Sequence, residues 1–405
     1  MISAHGSPLA PLGNRETGGM NVYVRELSRE LGQRGVAVDV YTRRIDPSLP
    51  EVELFGENVR VVNLKAGPVA FMDKNLVLDN LPEFICNVLR FSQRQDLQYD
   101  YIHSHYWLSG WAGLLLSRRW CVPHAVTFHT LGRLKNRAKA GPAETDRRAE
   151  VEARVATSAD AIVVSSEHER QALVELYGAH WDHIHVVPSG VDLGRFQPLD
   201  RASSRARLGL DGKEILVAVG RMDPVKGLDM LIQATALLKD HDQLRVLIIG
   251  GGDGDPELAR LKALARAEGV ADRVDFLGAR PQVELPTYYS AADICVVPSH
   301  YESFGLVAAE ALACGTPVIA SKVGGLQTIV QDGENGLLVP WRSPQAFAES
   351  IDWLLADRAM RDRFAAAARP SVERFSWDIL AEHVYQVYRA MAESATPQPA
   401  GACRT

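Results

Sequence analysis

Two carboxylates eight residues apart, Glu302 and Glu310, flank Phe304-Gly305-Leu306, and their types and spacing are suited to gripping a ligand. The apolar run Ile294-Cys295-Val296-Val297-Pro298 before them reads as a buried strand. Glu302 then falls in a strand-to-helix turn, and Gly305 lets backbone come close to a ligand. Glu310 lies about two turns into the helix, at about 3.6 residues per turn. Free N–H groups at a helix start attract anions. One carboxylate can accept hydrogen bonds from hexose hydroxyls and the other from ribose hydroxyls while the N–H groups face phosphate. That is the chemistry of holding a sugar nucleotide, with neither Glu acting as acid or base.

A second pair is cationic. Arg221 directly follows the apolar strand over 215–220, and Lys226 comes five residues later, before Gly227 and a helix. Two cations at the mouth of a strand-turn-helix can hold a diphosphate and offset the charge that grows on it as it leaves. Arg280, in the loop after the strand 274–278, is placed to face a base. The glycine-rich Gly250-Gly251-Gly252-Asp253-Gly254-Asp255 imitates a dinucleotide loop or a metal-holding Asp-x-Asp. No clear acidic partner follows about 20 residues on at a second strand end. Arg221 and Lys226 already supply the charge that a metal would, so no metal site is expected, and Mg²⁺ is compatible with the site without being implied.

These residues need elements to position them, and the sequence supplies an alternation of apolar strands and helical periods. Strands are expected near 36–41, 59–62, 101–105, 125–130 and 161–166, then again at 215–220, 247–249, 274–278, 294–298 and 335–339. Thr17-Gly18-Gly19-Met20-Asn21 opens a helix that stops at Gly35, and paired glycines there let phosphate approach backbone N–H groups. Met1-Ile2-Ser3-Ala4-His5-Gly6 reads as the tail of a first strand whose start is clipped or unusually short. The fold class is α/β, with two Rossmann-like domains facing a cleft. A length of 405 residues also favours two cores over one. The expected division is 1–195 for the acceptor, 196–375 for the donor, a helix over 376–393 packing back on the first domain, and a disordered tail over 394–405.

In open α/β sheets ligands gather beyond the carboxyl ends of the strands, which puts His5, His105, Tyr106, His129 and Thr130 on one rim. Residues 133–148 carry Arg133, Lys135, Arg137, Lys139, Arg147 and Arg148 against Glu144 and Asp146. Such a run is a solvated face, or else a site for a phosphate-bearing acceptor or an anionic membrane surface.

Hydrophobic content of 46% and charged content of 23% are those of an ordinary globular protein, and a formal charge of -6 argues against a general nucleic-acid binder. Five cysteines without a C-x-x-C pair point to a reduced, cytoplasmic chain without structural zinc. No apolar run reaches the roughly 20 residues of a membrane span, which leaves room for peripheral membrane contact only. A monomer and a homodimer are both compatible.

The segment from Pro298-Ser299 through Glu302, Phe304-Gly305-Leu306 and Glu310 to Gly315-Thr316-Pro317 resembles the donor signature of the retaining GT-B glycosyltransferases of family 4. With Thr17-Gly18-Gly19-Met20-Asn21, His103-Ser104-His105-Tyr106 and His129-Thr130-Leu131 the resemblance spans nearly the whole chain. It is nearest to the branch acting on inositol phosphate, with some likeness to the sucrose-phosphate synthase branch in Leu131-Gly132-Arg133. The resemblance implies a UDP-sugar donor and no obligatory cofactor. Gly19, Arg221 and Lys226 would contact the diphosphate, Glu302 the hexose and Glu310 the ribose, with Phe304, Gly305 and Leu306 beside them. His129 would position the transferred sugar. His5, Met20, Asn21, Lys74, Tyr106, Thr130 and Arg148 would surround a small phosphorylated polyol or sugar. A lipid-directed glycosyltransferase of the phosphatidylinositol type and a sucrose-phosphate-synthase-like enzyme are alternatives, and a sugar-nucleotide epimerase is the rival from another class.

Overall fold

Runs of Val, Ile and Leu too apolar to face water on either side become the strands of two sheets. The computed structural model describes residues 1–10, 18–252 and 254–394. Of the tail expected to be disordered over 394–405, Ser394 instead ends the last helix, and residues from 395 on lie outside the described residues, as do Thr17 and Asp253.

The first sheet contains β1 (Val38–Arg43), β2 (Val52–Gly56), β3 (Val59–Leu64), β4 (Ile102–His105), β5 (His124–Thr127), β6 (Ala161–Val164) and β7 (Ile184–Val186). They pair as β1-β3-β2 and β4-β5-β6-β7, and β2, antiparallel to β3, departs from the otherwise parallel pattern. Ile2 joins the two groups by bridging Tyr41 on one side and Ser104 on the other. Its N–H donates to the His103 carbonyl at 2.9 Å, and the next N–H, of Ser3, donates to Tyr41 at 2.9 Å. The opening residues are thus the centre of the sheet.

The second sheet contains β8 (Glu214–Val219), β9 (Leu244–Ile249), β10 (Val274–Gly278), β11 (Ile294–Val297), β12 (Val318–Ser321) and β13 (Gly336–Val339). Its order is β10-β9-β8-β11-β12-β13, all parallel. Strand order reverses between β8 and β11, and in the first sheet on either side of Ile2. Ligands of doubly wound sheets bind beyond such reversals. Arg221 follows β8, Glu302 follows β11, His5 follows the Ile2 strand and Tyr106 follows β4. The architecture is α/β with two Rossmann-like halves.

Polar residues 195–206, which carry no long apolar run, nevertheless include a helix, Arg201–Leu208. Charge holds it in place of an apolar stripe: Asp200 caps its start by accepting from Ser203 N–H at 2.8 Å, and Arg201 and Arg205 both pair with Asp293.

The last helix, Trp377–Ser394, lies on the first half, where Leu380, Val384 and Val387 share a core with Val24, Leu27 and Leu31 of the helix Gly19–Gln33. Trp377 packs so tightly on Gly190 that a Cβ there would come 2.5 Å from the indole, and it meets Tyr23 edge-on at 5.9 Å between centroids. No helix among the described residues is long and apolar enough to cross a membrane. Trp377→Ala empties this contact and is expected to cost about 3–5 kcal/mol. The measurement is the urea midpoint at unchanged slope, and a loss below about 1 kcal/mol would show that the helix is not seated by this ring.

Candidate active site

Glycines let backbone lie against backbone where the charges are placed. After β8 the chain makes the turn Pro224–Lys226, in which Asp223 accepts from Val225 N–H at 3.0 Å. Gly227 closes it at φ 62, where a Cβ would overlap the Pro298 carbonyl oxygen. His300 N–H donates to the Val225 carbonyl at 2.8 Å, so the turns after β8 and β11 are docked on each other. Beneath Glu302 lies Gly324 at φ 44, where a side chain would overlap the Glu302 carbonyl, and Gly325 N–H donates to that carbonyl at 3.0 Å. The result is a 2.5 Å ion pair between Lys226 Nζ and Glu302 Oε1, to which Ser299 Oγ also donates at 3.2 Å. Arg221 Nη2 lies 3.5 Å from Asp223, and Gly18 of the first half approaches the Arg221 side chain.

The second half's turns reach into the first half. Val225 and Tyr301, each one residue before a charge, are buried in the first half's core cluster. Ser303 Oγ donates to the His129 carbonyl, and Ser165 Oγ donates to the Ser303 carbonyl at 3.1 Å. Gly19 sits against Leu306, the first residue of the helix Leu306–Ala313, which Gly305 opens at φ 108. Gly19, His129, Glu302, Gly305 and Leu306 are thereby gathered where the halves meet. His129 itself has φ 60, and its Nε2 is 3.2 Å from His105 Nδ1. Burial, with a smaller push from His5, lowers its pKa to about 3. A neutral ring of this kind can orient a hydroxyl but carries no charge at neutral pH.

Glu310 is buried on that helix and accepts from Tyr289 Oη at 2.9 Å. Burial pushes its pKa up to about 7 against the hydrogen bond. A small cleft beside it is lined by Asp192, Arg195, Gln282, Leu306 and Trp377 among others. Gln282 Oε1 accepts from Arg195 at 3.1 Å and from Arg25 of the first half at 2.9 Å.

Two residues expected at the donor, Phe304 and Arg280, do not turn their side chains to this cleft. Phe304 turns its ring into the second half's core, edge-on to Phe375 at 5.6 Å, because its large apolar surface gains more from burial than from the cleft. Arg280 is exposed, and Gln282, two residues on, lines the cleft in its place. Asn21 is engaged by the protein at both ends of its amide, accepting from Gly18 N–H at 3.0 Å and donating to the Ser7 carbonyl at 2.8 Å. Met20 is half-buried against Gly6. Ser303 carried no sequence signal of its role; Gln282 was findable only as a neighbour of Arg280.

At the first sheet's reversal a basic cluster forms. Arg148 is 0% exposed and donates from Nε to Glu152 at 2.7 Å, from Nη1 to Tyr106 Oη at 3.0 Å and from Nη2 to Thr130 Oγ1 at 3.1 Å. His5 packs at a tilt against Tyr106, with ring centroids 4.3 Å apart. Lys74 and Lys135 complete the group through Glu144, at 2.8 and 2.7 Å. Far from being a uniformly solvated face, the run 133–148 therefore contributes one fully buried cation. Among the described residues, no three His, Cys, Asp or Glu side chains gather as metal ligands.

Residues 17–195 match the family model described as Glycosyltransferase Family 4, and residues 200–370 match Glycosyl transferases group 1. A protein of Xylanimonas cellulosilytica named D-inositol 3-phosphate glycosyltransferase is 45% identical over 99% of this chain and 97% of its own. The chain is a family 4 glycosyltransferase. A like-named protein of Acidothermus cellulolyticus is 44% identical over 98% of this glycosyltransferase and 91% of its own length. Among solved structures, sucrose-phosphate synthase from Thermosynechococcus elongatus superposes with a TM-score of 0.91 at 37% identity, covering 97% of this chain and 98% of its own. Anabaena HepE in complex with UDP-glucose shares the fold, with a TM-score of 0.75 at 20% identity over 97% of each chain. The two halves are those of GT-B glycosyltransferases.

A raised Glu310 pKa has a measurable sign in this glycosyltransferase. The unfolded carboxyl titrates near 4.5 and the folded one near 7, so the folded state binds the extra proton between these values and loses stability as pH rises through them. Glu310→Gln removes that titration. The stability difference between Glu310→Gln and the parent is expected to shift in the variant's favour by about 2–3 kcal/mol from pH 5 to pH 8. Chemical denaturation at both pH values measures it, and a pH-independent difference would show that Glu310 is ionised in the free enzyme.

Proposed function

We propose that this glycosyltransferase moves a hexose or N-acetylhexosamine from a UDP-sugar to a small phosphorylated polyol of the inositol phosphate type, with retention at the anomeric carbon. The observation that carries the reading is the pairing of two cationic centres, Arg221 with Lys226 on one half and Lys74, Lys135 and Arg148 on the other. The first suits a diphosphate and the second a phosphate monoester. The names of the relatives, and the UDP-glucose in the HepE complex, support the same donor and acceptor classes.

In this reading the first half holds the acceptor and the second holds the donor. Glu302 accepts from hexose hydroxyls, Glu310 from the ribose, and Gly19 offers backbone N–H to the diphosphate. His129 orients the sugar. The acceptor hydroxyl attacks the anomeric carbon on the face from which the diphosphate leaves, so the new C–O bond forms as the sugar–phosphate bond breaks. The hydroxyl proton passes to the departing phosphate oxygen, whose growing charge Arg221 and Lys226 offset. Closure of the halves excludes water that would otherwise hydrolyse the donor.

A lipid-directed reading has one observation in its favour: Phe71 and Leu76, near Lys74, are 67% and 57% exposed. Co-sedimentation with phosphatidylinositol vesicles tests it directly.

UDP release from a panel of UDP- and GDP-sugars, with inositol phosphate, fructose 6-phosphate and phosphatidylinositol as acceptors, is expected to peak with a UDP-sugar and a soluble phosphorylated acceptor. Arg221→Ala and Lys226→Ala should each slow turnover by about 100-fold or more, equivalent to about 2–4 kcal/mol at the transition state. Turnover within about threefold of the parent would sink the charge-offset role.

A further inference from the structure

Glu144 fills the centre of the basic cluster. Its carboxylate accepts from Lys74 Nζ at 2.8 and 3.0 Å and from Lys135 Nζ at 2.7 Å, and it lies 3.0 Å from Arg148 Nη1. Burial opposes its charge, but Arg148 and the bonds from Lys135 and Lys74 hold its pKa down at about 2. A phosphate placed in this cluster would need those same donors. The cluster is fixed on its inner side, where Arg148 is locked onto Glu152, and accessible on its outer side, where the Lys74 and Lys135 side chains are 24% and 23% exposed.

The Glu144 backbone is held independently of its side chain. Asn136 Oδ1 accepts from Glu144 N–H at 2.7 Å, and Asn136 Nδ2 donates to the Glu144 carbonyl at 3.0 Å. The carboxylate can therefore leave by rotation about its own bonds without the segment unfolding. Charge then decides what can replace it. Three cations and the carboxylates of Glu144 and Glu152 leave the cluster with one net positive charge, and turning Glu144 out leaves two. A phosphate monoester carries about −1.5 to −2 and neutralises that excess. A phosphodiester carries a single charge, and a neutral polyol carries none.

We propose that Glu144 is a resident anion that closes the phosphate cradle and yields to a phosphate monoester, making it a determinant of acceptor charge selectivity. The inference rests on the acceptor reading above. Selectivity arises because an entering group must outbid a carboxylate already bonded to three cations, which a monoanion matches only evenly.

The test is calorimetric titration of inorganic phosphate into the full chain and into Glu144→Gln at pH 8, with Glu144→Ala as a second variant. Both variants are expected to bind phosphate at least about tenfold more tightly than the parent. UDP affinity within about twofold of the parent certifies that they are folded. Phosphate affinity unchanged or weakened in folded variants would overturn the proposal, leaving Glu144 as scaffolding for the lysines. Dimethyl phosphate, which carries the single charge of a lipid headgroup, is expected to gain at least as much as inorganic phosphate, because the carboxylate that it could only match is gone. A gain for the diester several-fold smaller than that for inorganic phosphate would refute exclusion of single charges by Glu144. Turnover of a phosphorylated acceptor without a gain in phosphate affinity defeats the Glu144 role and leaves the proposed function standing. A gain without turnover of any phosphorylated acceptor does the reverse.

Discussion

The ion pair at the meeting of the halves depends on two apolar anchors, Val225 and Tyr301, that belong to one half and are buried in the core of the other. Each precedes a charged residue, Lys226 or Glu302, so the anchors fix the two ends of a 2.5 Å ion pair relative to the first half. Hydrophobic burial has no direction of its own; the glycines at 227, 305 and 324, all at positive φ, convert it into geometry by letting one turn lie on the next. A side chain at 227 or 324 would overlap a carbonyl oxygen and push the charged residue off its neighbour.

The charges in both centres are satisfied by the protein itself in the free enzyme. Lys226 pairs with Glu302, and Lys74, Lys135 and Arg148 gather on Glu144. Leaving several partly buried cations unpaired would cost far more than a good pair gains, so internal carboxylates are the cheaper resting arrangement. Binding is then an exchange of partners: a ligand phosphate replaces a carboxylate, and a sugar hydroxyl can occupy a carboxylate oxygen that a lysine has released. Affinity measures the difference between the two pairings rather than the full attraction of cation for phosphate.

What was legible in the sequence follows from how local each constraint is. Lys226, Glu302, Gly305 and Glu310 could be placed because strand, turn and helix each leave a short-range pattern, and the structure sets them on adjacent turns and the helix that follows. The ring direction of Phe304 was not legible, since an apolar residue in a turn can face a ligand or a core with the same spacing, and only the position of Phe375 decides. Gln282 and Arg280 are alike in sequence, two polar residues of one loop; Gln282 is chosen by Arg25 and Arg195, which approach from far along the chain. The helix Arg201–Leu208 escaped notice because Asp293, not an apolar stripe, holds it. The membership of Arg148 in a cluster with Lys74, Tyr106 and Thr130 was legible only through the family resemblance, since composition alone would give its run to solvent.

The last helix bears on the site through a line of histidines. Tyr388, on that helix, bonds His103 Nδ1 at 2.6 Å, and Thr127 Oγ1 bonds His103 Nε2 at 2.9 Å. His103 and His105 lie with ring centroids 4.3 Å apart, and His105 Nδ1 meets His129 Nε2 at 3.2 Å. Burial lowers all three pKa values, so these rings are neutral, and each carries its proton on only one nitrogen. Along the His105–His129 bond one ring must donate and the other accept, so the tautomer of His105 fixes that of His129. The helix Trp377–Ser394 also follows directly from the second half, joined at Ser376, which bridges Val191 of the first half. A shift of the halves that unseats Tyr388 would free the His103 tautomer and loosen the packing behind His105. The orientation of His129 is therefore tied to the docking of an element that never enters the cleft.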